Sequence, residues 1–120
     1  MANDFKRFTV PSVNTSTGSS ASAVYTVPSS GSAMESIVIG ITLANKTSTG
    51  VTASVFLDNY TGSNDVYIVK DATIPAGSSL EVMAGNKIVV QGDGSANDVI
   101  RVSSGTASAI DATVSVLEDV

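Results

Sequence analysis

The chain of 120 residues has no cysteine, no histidine and no tryptophan. Histidine is the usual general base, cysteine the strongest common nucleophile, and both are frequent zinc ligands. Their absence excludes triad, thiol and zinc chemistry, and no disulfide can staple the fold. Charge is also scarce, with charged residues at 14% against about 25% in an average soluble domain. What is abundant is Val, Ile and Thr, 17, 8 and 12 of them, together with 19 Ser. Side chains branched at Cβ pack well on a pleated sheet and poorly in a helix, so an all-β protein is expected. The length fits one domain.

Six basic against eleven acidic residues leave a formal net charge of −5. That sign opposes binding to phosphate backbones, so nucleic acid is not an expected partner. The cations are scattered as Lys6, Arg7, Lys46, Lys70, Lys87 and Arg101. No apolar run approaches the roughly 20 residues of a membrane-spanning helix. The first residues lack the basic-then-apolar pattern of a secretory signal, so synthesis and folding are expected in cytoplasm. A surface solvated by hydroxyls can be covered by a neighbour without desolvating many charges, which points to self-assembly or docking on another protein.

Residues 11–23 are the lowest-complexity stretch, with Val13 their single large apolar side chain. They are expected to form a flexible loop or arm. Residues 1–10, with Phe5, Phe8 and Val10, make either a short strand or an arm that orders on a neighbouring subunit. The expected division is thus a strand and Ser/Thr-rich arm over 1–23 and a sandwich over 24–120.

Alternation then predicts strands at 23–27, 35–44, 51–58, 66–70, 80–84, 87–91, 98–103 and 109–117. In 35–44 the pattern puts Ile37, Ile39, Ile41 and Leu43 on the buried face. Residues 35–44 and 51–58 read as one antiparallel hairpin, and 80–84 with 87–91 as another across Gly85-Asn86. Phe56 breaks the polar face of its strand, either as a packing contact with the arm or as a docking residue. About eight strands with short turns describe a single antiparallel β-sandwich, jelly-roll or Ig-like, with an N-terminal arm. Six aromatic residues make for a thin, aliphatic core.

The best metal candidate is the run from Asp93 to Asp98, Asp-Gly-Ser-Ala-Asn-Asp, whose oxygens alternate as in a calcium loop. It has Ser104 where an EF-hand loop would place its bidentate Glu, and no helical period flanks it. Asp and Asn also favour such turns by bonding nearby backbone, which is the reading preferred here and for 59–65. The remaining acids, Glu35, Asp58, Asp71, Glu81, Asp111, Glu118 and Asp119 among them, fall mostly at strand ends or turns, where they solvate surface and blunt sheet edges. Arg101, within a strand, is expected to pair with an acid such as Asp98 or Asp111. No catalytic residue, metal ligand or cofactor-binding residue is assigned, no cofactor is expected, and the chain reads as a non-enzyme.

Several stretches together carry a family resemblance: Val-Tyr-Thr-Val-Pro at 24–28, Ile-Gly-Ile-Thr-Leu-Ala-Asn at 39–45, Val-Tyr-Ile-Val-Lys-Asp-Ala-Thr-Ile-Pro-Ala-Gly at 66–77, residues 80–90, and Asp-Ala-Thr-Val-Ser-Val-Leu-Glu at 111–118. Over residues 5–118 the chain resembles small β-rich virion structural proteins of tailed bacteriophages, particularly those of cyanobacteria. The resemblance implies a capsid decoration or cement protein, located in the virion. Its implied partners are further copies of itself, as a trimer, and other virion proteins such as the major capsid protein. A neck, tail or fibre role, or a carbohydrate- or cell-surface-binding module using the loops around 59–65, are the alternatives.

Overall fold

A computed structural model describes residues 3–28, 31, 33–60, 65–83 and 87–119. Nine strands follow one another among them: β1 (Asn3–Val10), β2 (Ser22–Thr26), β3 (Met34–Asn45), β4 (Val51–Asp58), β5 (Asp65–Ile74), β6 (Ser79–Glu81), β7 (Ile88–Gly92), β8 (Val99–Ser104) and β9 (Ile110–Asp119). They form two antiparallel sheets. Sheet I has the order β1-β9-β3-β6 with β7 also on β3, and sheet II has the order β2-β8-β4-β5.

The pairings nest. β4 pairs with β5, β3 with β6 and β7, β2 with β8, and β1 with β9. The chain is therefore one long hairpin, bent at the β4–β5 connection and rolled so that successive strand pairs alternate between the two sheets. That is a jelly roll, which decides between the two sandwich types the strand pattern allowed.

Two expected hairpins are corrected by this topology. β3 and β4 lie in opposite sheets and do not pair, because the connection between them crosses the sandwich. The crossing is pinned by Asn45, whose buried amide donates to the carbonyls of Thr49 and Ile74 at 2.8 and 2.9 Å while its oxygen accepts from Thr47 N at 3.0 Å. Likewise β6 and β7 both pair with β3, β6 against residues 42–44 and β7 against residues 34–38, as two segments of one interrupted edge strand. The Gly85-Asn86 turn lies outside the described residues.

The face assignment of β3 also changes along its length. Val38 opposes Val116 but Gly40 opposes Ser115, so one extra residue, Ile39, is inserted between them. This β-bulge switches which parity faces the core. Met34, Ser36 and Val38 point inward before it, and Ile41, Leu43 and Asn45 after it, whereas Ile37 and Ile39 are half-buried on the outer face. The edge strand is interrupted at the same level, where Val82 N bonds Ile41 O at 2.9 Å. The core between the sheets is aliphatic, built around Val38, Ile41, Leu43, Val55, Val90, Ile100, Val102, Ile110, Val114 and Val116.

Residues 3–28 belong to the same body. β1 pairs with β9 over its whole length, from Asn3 with Asp119 to Val10 with Ala112. Beyond it, the low-complexity stretch crosses from sheet I to sheet II, and it is anchored where looseness was expected. Val13 is fully buried, its N–H bonds Ile110 O at 2.8 Å, and Asn14 O accepts from Ser104 N at 3.0 Å. Ser12 N donates to Asp111 Oδ1 at 2.8 Å, and Lys46 Nζ approaches the same oxygen at 2.8 Å. The Lys46 ammonium and the Ser12 amide hold the Asp111 carboxyl below the usual carboxylate range. The boundary expected at residue 23 falls inside β2.

Candidate functional site

The acids flagged as possible metal ligands are engaged in building the fold. Asp93 Oδ1 accepts from Ser95 N, Ser95 Oγ and Ala96 N at 3.0, 3.1 and 2.8 Å, which lowers its pKa through hydrogen bonds to the charged form. This is an Asx turn, and it folds back so closely that a Cβ at Gly92 would stand 3.0 Å from Ala96 O. Asp98 is buried, with Oδ1 accepting from Tyr60 N at 2.9 Å and Oδ2 from Gln91 N at 3.0 Å. One carboxylate thus ties the loop after β4 to the end of β7, joining the two sheets. Among the described residues, no three His, Cys, Asp or Glu side chains gather into a metal-binding group. Replacing Asp98 by Ala leaves two N–H groups without acceptors, and a loss of about 2 kcal/mol is expected in urea unfolding. An unchanged midpoint would mean that those amides find water instead.

Arg101 pairs with an acid, as expected, and that acid is Asp58 in place of Asp98 or Asp111. Its Nε lies 2.8 Å from Asp58 Oδ2, and a terminal nitrogen donates to Ala21 O at 2.9 Å. The reason is the register: Phe56 opposes Arg101 across β4 and β8, which puts Asp58 diagonal to it on the outer face of sheet II. Phe56 itself is buried on that outer face, 1% exposed, beneath Tyr67 with ring centroids 5.3 Å apart.

Glu118, grouped with the surface acids by its place near a strand end, points into the sandwich and is 1% exposed. Its Oε2 accepts from the Tyr25 hydroxyl at 2.6 Å, and Lys6 Nζ stands 3.0 Å from Oε1. Since the phenol donates to the carboxylate, the Ser36 hydroxyl donates to Tyr25 Oη at 2.8 Å. Burial and the neighbouring carboxylate push the Tyr25 phenol up, and the same carboxylate raises Lys6. The cluster joins β1, β3 and β9 to β2, and Phe8 covers it with its ring 4.9 Å from that of Tyr25. Its residues are spent on one another, so it serves as a polar bolt between the sheets.

What the fold leaves uncovered lies on the outer face of sheet I. Register alone aligns Phe5 with Leu117, Leu117 with Ile37, and Ile37 with Val89. Four apolar side chains therefore form one row across β1, β9, β3 and β7, its ends exposed at 76% for Phe5 and 59% for Val89. The four residues come from four separate strands, so the row is made by register and by no single stretch of sequence. Beside it lies a row of hydroxyls, Thr9, Thr113 and Thr42. Charges of both signs stand around the face, among them Arg7 of β1, Glu35 of β3 and Glu81 of β6. Compared with protein-family models and with curated proteins, the chain matches none.

Proposed function

We propose that this chain is a non-enzymatic structural protein of a bacteriophage particle, a capsid decoration or cement protein that works by contacts between subunits. The observation that carries the reading is the apolar row Phe5–Leu117–Ile37–Val89 on the outer face of sheet I. An exposed, contiguous apolar patch on a charge-poor β protein is a contact surface. Its occupant is a second copy of the chain. The charges around the face are few and of both signs although the whole chain carries −5, so two such faces can meet with opposite charges in reach of one another. Four strands at about 4.8 Å spacing and about ten residues at about 3.3 Å give roughly 600 Å² in plan, near the roughly 800 Å² per partner of a stable interface.

The resemblance of the strand motifs to phage virion proteins and the jelly roll, a fold recurrent in viral capsid domains, support the same reading, though fold by itself does not assign function. Light scattering after size exclusion is expected to give a multiple of 12.1 kDa, and the double variant Phe5→Asp/Val89→Asp is expected to run as a monomer that unfolds at the wild-type midpoint. A wild-type monomer at high concentration would remove the self-contact. On purified particles, a copy number that scales with the shell subunits supports decoration, whereas a small ring number would transfer the protein to the neck or tail.

A further inference from the structure

The opposite side of the molecule carries a cleft that assembly through sheet I leaves open. It lies on the outer face of sheet II, with a volume of about 190 Å³. On one wall stand Thr15 and Thr17 from the crossing segment, and on the other Thr52, Ser54, Ser103 and Ser104. Ser54 and Ser104 donate to Asp71 Oδ1 and Thr106 O, and the hydroxyls of Thr15, Thr17, Thr52 and Ser103 can each donate and accept. Tyr67, 43% exposed, presents a ring at the mouth, backed by the buried Phe56.

Lys70 and Asp71 complete the rim. Their charges are 3.3 Å apart, and Lys70 Nζ lies 5.2 Å from the centre of the Tyr67 ring. The rim is therefore neutral as a pair and selects neither an anion nor a cation. Asp71 has a left-handed backbone, φ 51°, at an irregularity in the β4–β5 register. That conformation is costly for a residue with a side chain and persists where the surroundings hold it. Here Ser54 Oγ accepts from Asp71 N at 2.9 Å and donates back to Asp71 Oδ1 at 3.3 Å. Those two bonds hold the Asp71 backbone at the cleft rim.

We propose that this cleft binds a single uncharged sugar ring. The ligand must be small, since drug-sized pockets begin at about 300 Å³. It must both donate and accept hydrogen bonds at several points, as the hydroxyl walls do. It must also offer an apolar face to Tyr67, and the C–H face of a pyranose meets that need.

Saturation-transfer NMR on the wild-type chain with D-glucose, D-galactose, D-mannose and N-acetyl-D-glucosamine, each at about 5 mM to suit a millimolar Kd, tests this. Transfer to the ring protons of at least one sugar is expected. Tyr67→Ala should abolish it, Tyr67→Phe should keep it, and Asp71→Asn should weaken it several-fold. Melting curves of the three variants confirm that they are folded. No transfer to any of the four sugars, or transfer indifferent to Tyr67→Ala, overturns the proposal. Because the residues lie on the other sheet, the oligomer mass of Tyr67→Ala should stay that of the wild type.

Discussion

Ile41→Ala is expected to lower the free energy of unfolding by about 2–5 kcal/mol, the range for truncating a large aliphatic side chain in a packed core. Ile39→Ala, two residues away on the same strand and of identical chemistry, should cost about 1 kcal/mol or less. The difference rests on the bulge between Val38 and Gly40, after which the inward parity of β3 changes. Ile41 is fully buried between the sheets, whereas Ile39 is half-buried on the outer face. Truncating Ile41 removes methyl groups whose neighbours, Val38, Leu43 and Val114 among them, are themselves locked in the core, so the void collapses only in part. Truncating Ile39 exposes its site to solvent or leaves it under a neighbouring subunit. Urea midpoints of the two variants decide the matter. Equal losses would restore the unbroken alternation that puts Ile37, Ile39, Ile41 and Leu43 on one buried face, and would remove the bulge.

That contrast shows what the amino-acid pattern carries and where it stops. Period-two alternation and β-branched composition identify nearly every strand, because both are local properties of a half-buried pleated chain. Partnership is not local. A strand that turns back on its neighbour and one that crosses to the other sheet alternate alike, so β3 with β4, and β6 with β7, could be read as hairpins. Asn45 and its capped turn were the available hint for the crossing, and Gly40, a small residue in an otherwise branched strand, the hint for the bulge. The apolar row was illegible for the same reason. Phe5, Ile37, Val89 and Leu117 lie on four separate strands, and only register brings them abreast. The crossing segment looked loose because its apolar content is a single Val13, yet one fully buried side chain and a few backbone bonds suffice to hold it.

The largest polar effect is expected at Glu118. Glu118→Ala removes the acceptor of a short, charge-assisted bond from the Tyr25 hydroxyl, of a kind that contributes about 1.5–3 kcal/mol, and leaves a void beside Tyr25 and Ser36. A total loss of about 3–4 kcal/mol follows once the void is included. The pH dependence identifies the cause. The Tyr25 phenol is raised above its ordinary value of 10.0, and Lys6 above 10.5. The folded state therefore keeps protons on both groups that the unfolded chain releases, and by linkage stability falls as pH rises past about 10. Below that pH both contributions are fully present. Urea midpoints from pH 7 to pH 11.5 should therefore fall steeply at the alkaline end in the wild type and more gently in Tyr25→Phe, which has no phenol to ionise. Glu118→Ala should start lower at neutral pH and then lose less on alkalinisation, since neither Tyr25 nor Lys6 has a carboxylate holding its proton. Lys6→Met leaves a buried carboxylate without its counter-charge and has no ammonium to ionise, so it should start lower at neutral pH and fall more gently at the alkaline end. Parallel pH profiles in all four proteins would show that the sheets are held by aliphatic packing alone, with Tyr25, Ser36, Lys6 and Glu118 merely tolerated between them.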